Sequence, residues 1–154
     1  MYHNRQRKIG FNQVYGWEMT LLEPTDYWRR VPAKWKPFWH FYNIPIAADA
    51  EHPDSPLRVI KQIADKDDFV AFKLDIDHPE MEMPIALSLR DDKAMAGLVD
   101  EFFFELHFRC EVMTSCGWGK RVPKESHGLK LDRPDVMQFF IDLRNNGIRA
   151  HIWP

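Results

Sequence analysis

Four side chains capable of metal binding or proton transfer follow two apolar runs of the sequence. Asp75 and Asp77 come directly after the run FVAFKL, and Glu105 and His107 come after the run VDEFFF. Successive side chains of a strand point to opposite faces, so Asp75 shares a side with Asp77, and Glu105 shares a side with His107. The spacing therefore predicts two pairs of polar groups, each at the end of a buried strand.

These two pairs meet if the strands are parallel neighbours, because neighbouring strand ends then lie about 5 Å apart. Carboxylate oxygens and an imidazole nitrogen are suitable ligands for a hard or borderline divalent ion. Proton transfer is a second possibility, since burial and like charge push carboxylate pKa values upward. The candidate catalytic residues are Asp75, Asp77, Glu105 and His107, and the candidate metal ligands are Asp77, Glu105 and His107.

A structural interpretation of the same residues is open beside the chemical one. Polar side chains also occur where strands leave a core, and some of them bond to backbone amides of the next helix. Asp77 stands two residues before Pro79, so it could serve as an N-cap.

Strands and helices alternate along the sequence and must position these groups. Residues 11–18 are predicted as a strand that ends at Glu18, and two short helical turns follow in the proline-broken stretch 23–42. Residues 42–49 form a candidate edge strand, because Pro45 cannot donate to a ladder. The remaining predictions are helices near 54–68, 79–92 (with Pro84 kinking or delaying the start) and 132–146, and strands at 69–76, 98–108 and 148–153.

Alternation of this kind predicts an α/β fold with a mainly parallel sheet and helices on both faces. The continuous apolar character of residues 69–76 is typical of a strand near the centre of such a sheet. In parallel sheets, ligands bind beyond the carboxyl ends of the strands. The polar pairs after residues 74 and 104 lie at such ends.

Length and composition indicate one globular domain over residues 11–154, preceded by a tail at residues 1–10. The chain has 154 residues and a formal net charge of −2, so its electrostatics gives no reason to expect nucleic acid as a partner. No apolar run approaches 18 residues, so no membrane span is predicted. The two cysteines, Cys110 and Cys116, fit no zinc spacing and favour a soluble protein in a reducing intracellular compartment.

Two segments favour binding to another protein. Residues 27–42 contain Trp28, Trp35 and Trp39, and aromatic side chains are enriched at interface cores. Covering one edge of the core is the alternative role for these tryptophans. Residues 109–131 form a long predicted loop, and loops of this length are usually functional or ordered by something else.

The sequence resembles the FkbM-type methyltransferase family, a Rossmann-like group that uses S-adenosylmethionine. The resemblance spans about residues 11–154. It rests on FKLDIDHPEME followed about 25 residues later by VDEFFFELHF, and on the terminal FFIDLRNNGIRAHIW. The positions that match the family's strand-end runs are Lys73, Asp75, Asp77, Glu80, Glu105 and His107.

The resemblance implies a cofactor, S-adenosylmethionine, and a role for Glu18. VYGWE resembles the family's second strand, whose closing acid, here Glu18, would hold the cofactor ribose. The family opens with a strand and a Gly-rich turn, whereas residues 1–10 contain no Gly-x-Gly, and the DIDH run lacks the family's glycine after its acid.

Two functions remain open after these observations. The first is a non-catalytic, methyltransferase-like accessory or structural subunit of a larger assembly, which the missing Gly-rich turn favours. The alternative is an S-adenosylmethionine-dependent methyltransferase, or part of one, with an acidic acceptor or metal site at the strand carboxyl ends.

Overall fold

The computed structural model of the chain describes residues 10–109 and 122–153, which fall in two compact units, Met1–Ile46 and Ala47–Pro154. Residues 1–9 of the tail predicted at residues 1–10 lie outside the described residues, as do Cys110 and Cys116. The described residues form an α/β structure in which most strand pairs are parallel. None of their helices is long and apolar enough to cross a membrane.

The first unit contains a parallel pair of strands joined by helical turns. Strand β1 (Val14–Trp17) pairs in register with β2 (Trp39–Tyr42). Between them lie helix α1 (Pro24–Arg30) and a 3-10 turn (Lys36–Phe38), which confirms the two short helical turns expected there. The carboxylate of Glu23 accepts from the Asp26 backbone N–H and so caps α1.

The prediction of a strand over residues 42–49 is wrong. The strand is Trp39–Tyr42, one segment earlier. Aromatic side chains pack well in strands, and the sequence WHFY supplies them. Directly afterwards, the Asn43 side chain donates to the carbonyls of Glu18 and Thr20 and accepts from the Leu22 N–H, so side-chain bonds to the segment after β1 replace ladder pairing here.

The second unit is built on a three-stranded parallel sheet with the order β3–β4–β7. Its middle strand is β4, whereas residues 69–76 were predicted to lie centrally; within the described ladder their strand, β3, pairs only with β4. The elements are α2 (Pro56–Ile63), β3 (Ala71–Leu74), α3 (Pro79–Asp91), α4 (Lys93–Ala96), β4 (Glu101–Phe104), β5 (Glu125–Ser126), β6 (Leu129–Lys130), α5 (Arg133–Asn145) and β7 (Arg149–Ile152).

The core of this unit lies between one face of the sheet and helix α5. Phe102 and Phe104 of β4 are completely buried, while the alternate side chains of the strand are only half-buried. Phe104 contacts Phe139 edge-on at 6.4 Å between ring centroids and lies 6.5 Å from Phe140. The aromatic stripe of α5 and the inward face of β4 thus bury each other's apolar area.

The helix boundaries follow signals that the sequence contains. Asp132 caps α5 by accepting from the Asp135 N–H, as predicted. Gly147 ends the same helix with a φ of +98°, a conformation that only glycine adopts readily. Helix α3 starts at Pro79 and continues through Pro84, so Pro84 does not delay it.

The described part of the predicted 109–131 loop contains secondary structure. Residues 125–130 form a short antiparallel hairpin of β5 and β6, joined by His127 and Gly128 at positive φ. Residues 110–121 lie outside the described part of the chain.

Candidate functional site

The parallel register of β3 and β4 brings the two predicted polar pairs to the same end of the sheet. Leu74 pairs with Phe104, and the Glu105 N–H donates to the Leu74 carbonyl at 3.1 Å, so the chains continue side by side. Asp75 and Glu105 are the next residues on the two chains. The expectation that these strand ends meet is confirmed.

Asp77, Glu105 and His107 converge beyond the strand ends. One potential ligand atom from each of the three lies within 4.8 Å of the other two. His107 Nε2 lies 3.2 Å from an Asp77 carboxylate oxygen. Only 10% of the His107 side chain is exposed, whereas 67% of the Asp77 side chain is exposed. The cluster therefore has a fixed inner imidazole and an outer carboxylate that faces water.

Asp75 forms a hydrogen-bonded carboxyl pair with Glu105 of this cluster. Hydrogen bonding between them lowers the pKa of Asp75, and Lys73, whose Nζ lies 2.5 Å from an Asp75 oxygen, lowers it further. The same hydrogen bond raises the pKa of Glu105 to about 7, with burial and the Asp75 charge adding to it. Because Lys73 stabilises the charged form of Asp75, the shared proton resides on Glu105.

The loop that carries Asp77 has an unusual backbone. Asp77 has a φ of +56°, in the left-handed region that aspartate tolerates better than most residues other than glycine. The N-cap position of α3 belongs to His78, without a side-chain capping bond. The alternative that Asp77 caps this helix is therefore wrong, because its carboxylate contacts His107 instead.

A buried carboxylate, Glu82 of α3, lies close to the site and was not predicted. Its exposure is 2%, and one of its oxygens accepts from the Ile76 N–H at 3.0 Å. Burial raises the pKa of Glu82, while the nearby charge of His107 opposes that rise. A sequence signal exists: Glu82 precedes Ile85, Ala86 and Leu89 at helical spacings of three, four and seven, so it shares their inward face.

Aromatic and cationic groups lie on the same face of the sheet as the carboxyl pair. Lys73 Nζ lies 4.8 Å from the centre of the Trp153 ring, and that tryptophan contacts Phe103 edge-on at 5.8 Å. Trp153 is 40% exposed. Sequence reasoning missed this contact, because it depends on the register of β3, β4 and β7.

Glu18, the predicted ribose-binding residue, lies in the first unit directly after β1. Its carboxylate accepts from the Thr20 N–H at 2.7 Å, and its own N–H donates to the Tyr42 carbonyl at 3.1 Å. Its role towards a cofactor stays a prediction.

Comparisons with known protein families, curated proteins and solved structures find no match for this chain. The case for a function therefore depends on the residues themselves.

Proposed function

We propose that this chain is a methyltransferase-like α/β domain that binds a divalent cation beyond the carboxyl ends of its parallel strands, through Asp77, Glu105 and His107. The observation that carries the proposal is the convergence of their ligand atoms within 4.8 Å of one another. Ligands that share one ion at about 2.1 Å lie at most about 4.2 Å apart, so a small side-chain rotation closes the set. Asp77, the most exposed of the three, is free enough to supply that rotation.

The chemistry of the ligand set suits a borderline first-row ion. Two carboxylates and one imidazole are typical ligands of Zn²⁺ and Mn²⁺, and neither a thiolate nor an all-oxygen cage is present among the three. Three protein ligands leave positions for water or an acceptor oxygen, which is the arrangement of catalytic rather than structural sites. A bound ion would polarise that oxygen. Glu105 would have to release the proton that it shares with Asp75 before it could serve as a ligand.

The Rossmann-like arrangement belongs to the same proposal and is supported by the parallel ladder of β3, β4 and β7. Helices α3 and α5 contact each other through Arg90 and Asn146, so both lie on one face of this ladder. A helix on the opposite face stays a prediction. The position of the cluster also agrees with the rule that ligands bind beyond the carboxyl ends of parallel strands.

Nothing in the described residues supports the S-adenosylmethionine cradle that the resemblance implies. Glu18, the residue assigned to the cofactor ribose, accepts from the Thr20 N–H through one carboxylate oxygen. Binding of this cofactor stays a prediction of the resemblance.

Metal titration tests the proposal. Wild-type protein should bind Mn²⁺ or Zn²⁺ in calorimetric titration, and Asp77→Asn, Glu105→Gln and His107→Ala should each weaken binding at least about tenfold. Asp67→Asn, a change of an exposed aspartate in the turn before β3, is the matched control and should bind as wild type does. The proposal is wrong if wild type binds neither ion at millimolar concentration, or if the three variants bind like the control.

A second candidate function, a non-catalytic accessory subunit, is favoured by the aromatic residues of the first unit. Neither α1 nor the 3-10 turn contains a buried residue, although they include Trp28 and Phe38 and the turn's N-cap is Trp35. Partly exposed aromatic side chains of this kind are typical of protein interfaces. The partner would be a protein that covers residues 27–42.

Native purification with cross-linking tests this second candidate. A partner should cross-link within residues 27–42, and the Trp28→Ala and Trp35→Ala double variant should lose it. Trp153→Ala, which removes another exposed tryptophan, is the matched control. A chain that purifies as a partner-free monomer would contradict the candidate.

A further inference from the structure

Glu82 is the only charged residue among the described residues that is buried, and its place beneath the candidate site calls for an explanation. An isolated carboxylate is costly to bury unless it is hydrogen-bonded. The bond that the structure shows is to the Ile76 N–H, at 3.0 Å. The buried Glu82 carboxyl therefore accepts its hydrogen bond from a backbone amide in the loop between β3 and α3.

That amide lies between two residues of the candidate site. The Ile76 N–H belongs to the peptide that links Asp75 to Ile76, and Asp77 is the next residue. The loop has no capping bond from the His78 side chain, and Asp77 adopts its left-handed backbone there. A left-handed aspartate persists only where its surroundings hold it. The hydrogen bond between Glu82 and the Ile76 N–H is one contact that restrains this loop backbone.

We infer that Glu82 is a positioning residue of the proposed cation site, acting through the Ile76 N–H to hold Asp77 against His107. The inference rests on the proposed function and adds a residue that the ligand set itself does not contain. Glu82 is not a ligand: its exposure is 2%, and it is absent from the set whose atoms converge within 4.8 Å. Groups that orient metal ligands in this way usually change cation affinity when they are removed.

The nearby charges agree with a location under the cluster. His107, Asp77 and Asp75 all act electrostatically on the Glu82 carboxyl. The helix also favours a carboxylate here, because Glu82 lies in the N-terminal turn region of α3, where the helix dipole is positive. Burial raises the pKa of Glu82, and in either protonation state one of its oxygens can accept the Ile76 hydrogen bond.

Four variants of the full chain test the inference, with Mn²⁺ affinity as the first measurement. Glu82→Leu removes the acceptor at similar volume, and Glu82→Asp keeps the charge but shortens the side chain by one methylene; each should weaken Mn²⁺ binding about tenfold or more. Glu82→Gln keeps an oxygen that can accept from Ile76 and should bind nearly as well as wild type. Leu89→Ala, a core truncation on the same helix, should lower stability without changing Mn²⁺ affinity.

A double-mutant cycle separates positioning from a general loss of structure. If Glu82 acts through Asp77, then Glu82→Asp should cost no further Mn²⁺ affinity in an Asp77→Asn background. Amide hydrogen exchange gives a metal-free readout: the Ile76 N–H should be protected in wild type and Glu82→Gln, and should exchange faster in Glu82→Asp.

The outcomes are distinguishable. Wild type that binds neither Mn²⁺ nor Zn²⁺ refutes the proposed function and the role of Glu82 within it; if wild type binds only Zn²⁺, the same variants are titrated with Zn²⁺. Wild-type binding with unchanged affinity in Glu82→Asp and Glu82→Leu overturns the inference alone. Loss of binding in Glu82→Gln also overturns it, because that result assigns the effect to charge rather than to the hydrogen bond. An additive cycle with Asp77→Asn shows that Glu82 does not act through Asp77.

Discussion

Replacing Asp75 with asparagine should release the proton that Glu105 holds near neutral pH. The first cause of the raised pKa of Glu105 is its hydrogen bond with Asp75, and burial and the Asp75 charge add to it. Asparagine removes the charge, and its amide N–H can donate to the Glu105 carboxylate, which favours the ionised form. The pKa of Glu105 should therefore fall from about 7 towards its ordinary value of 4.5, while the burial contribution remains.

The change is large enough to follow directly. At pH 6 a carboxyl with a pKa of about 7 is roughly 90% protonated, whereas one near 4.5 is roughly 3% protonated. The assay is a pH titration of the Glu105 side-chain carboxyl carbon by NMR in wild type and Asp75→Asn, with Asp67→Asn as control. A midpoint that stays near 7 in Asp75→Asn would show that Asp75 is not the cause of the raised pKa of Glu105. A wild-type midpoint near 4.5 would refute the coupled pair itself.

Stability should change with pH in the same window. The folded pKa of Glu105 is above the unfolded value of 4.5, so the folded chain binds more protons between pH 4.5 and about 7. The contribution of Glu105 to the free energy of unfolding is therefore fully present below pH 4.5 and is lost as the pH rises through about 7. Urea unfolding across this range should show that the free energy of unfolding falls less with rising pH in Asp75→Asn than in wild type.

Two further substitutions test the fold that supports the site. Phe104→Ala should lower the free energy of unfolding by about 3–5 kcal/mol in urea titration, because it empties a completely buried position between β4 and α5; a loss below about 1 kcal/mol would contradict this packing. Gly147→Ala should cost about 1–2 kcal/mol, because its φ of +98° strains any residue with a Cβ. Gly97→Ala, at a φ of −69°, is the matched control for Gly147→Ala and should change stability much less.

The sequence predicts those parts of the fold that depend on local patterns. The strand predicted within residues 98–108 is confirmed at Glu101–Phe104, and the helix capped by Asp132 is also confirmed. An apolar run marks the strand, and a capping aspartate at the start and a glycine at the end mark the helix; both signals are local. The misplaced strand over residues 42–49 shows where local signals fail. Pro45 indicates an edge position, but side-chain contacts of Asn43 had already ended the ladder.

The candidate site was predictable to the extent that it follows from strand alternation. Asp77, Glu105 and His107 meet because alternation and a parallel register are sufficient to place them. Glu82 was missed because a glutamate in a first helical turn usually faces water, although its spacing to the apolar positions of α3 places it on the buried face. The contact of Lys73 with Trp153 required the register of three strands that are distant in sequence.

All three candidate ligands come from a single strand–helix–strand segment, with Asp77 and His107 only 30 residues apart. The entropy lost in closing such a loop grows slowly with its length, so a short interval assembles at modest cost. The three candidate ligands therefore depend on one continuous stretch of the chain. Changes in length within residues 77–107 should damage it, whereas changes in residues 10–46 leave its own covalent framework untouched.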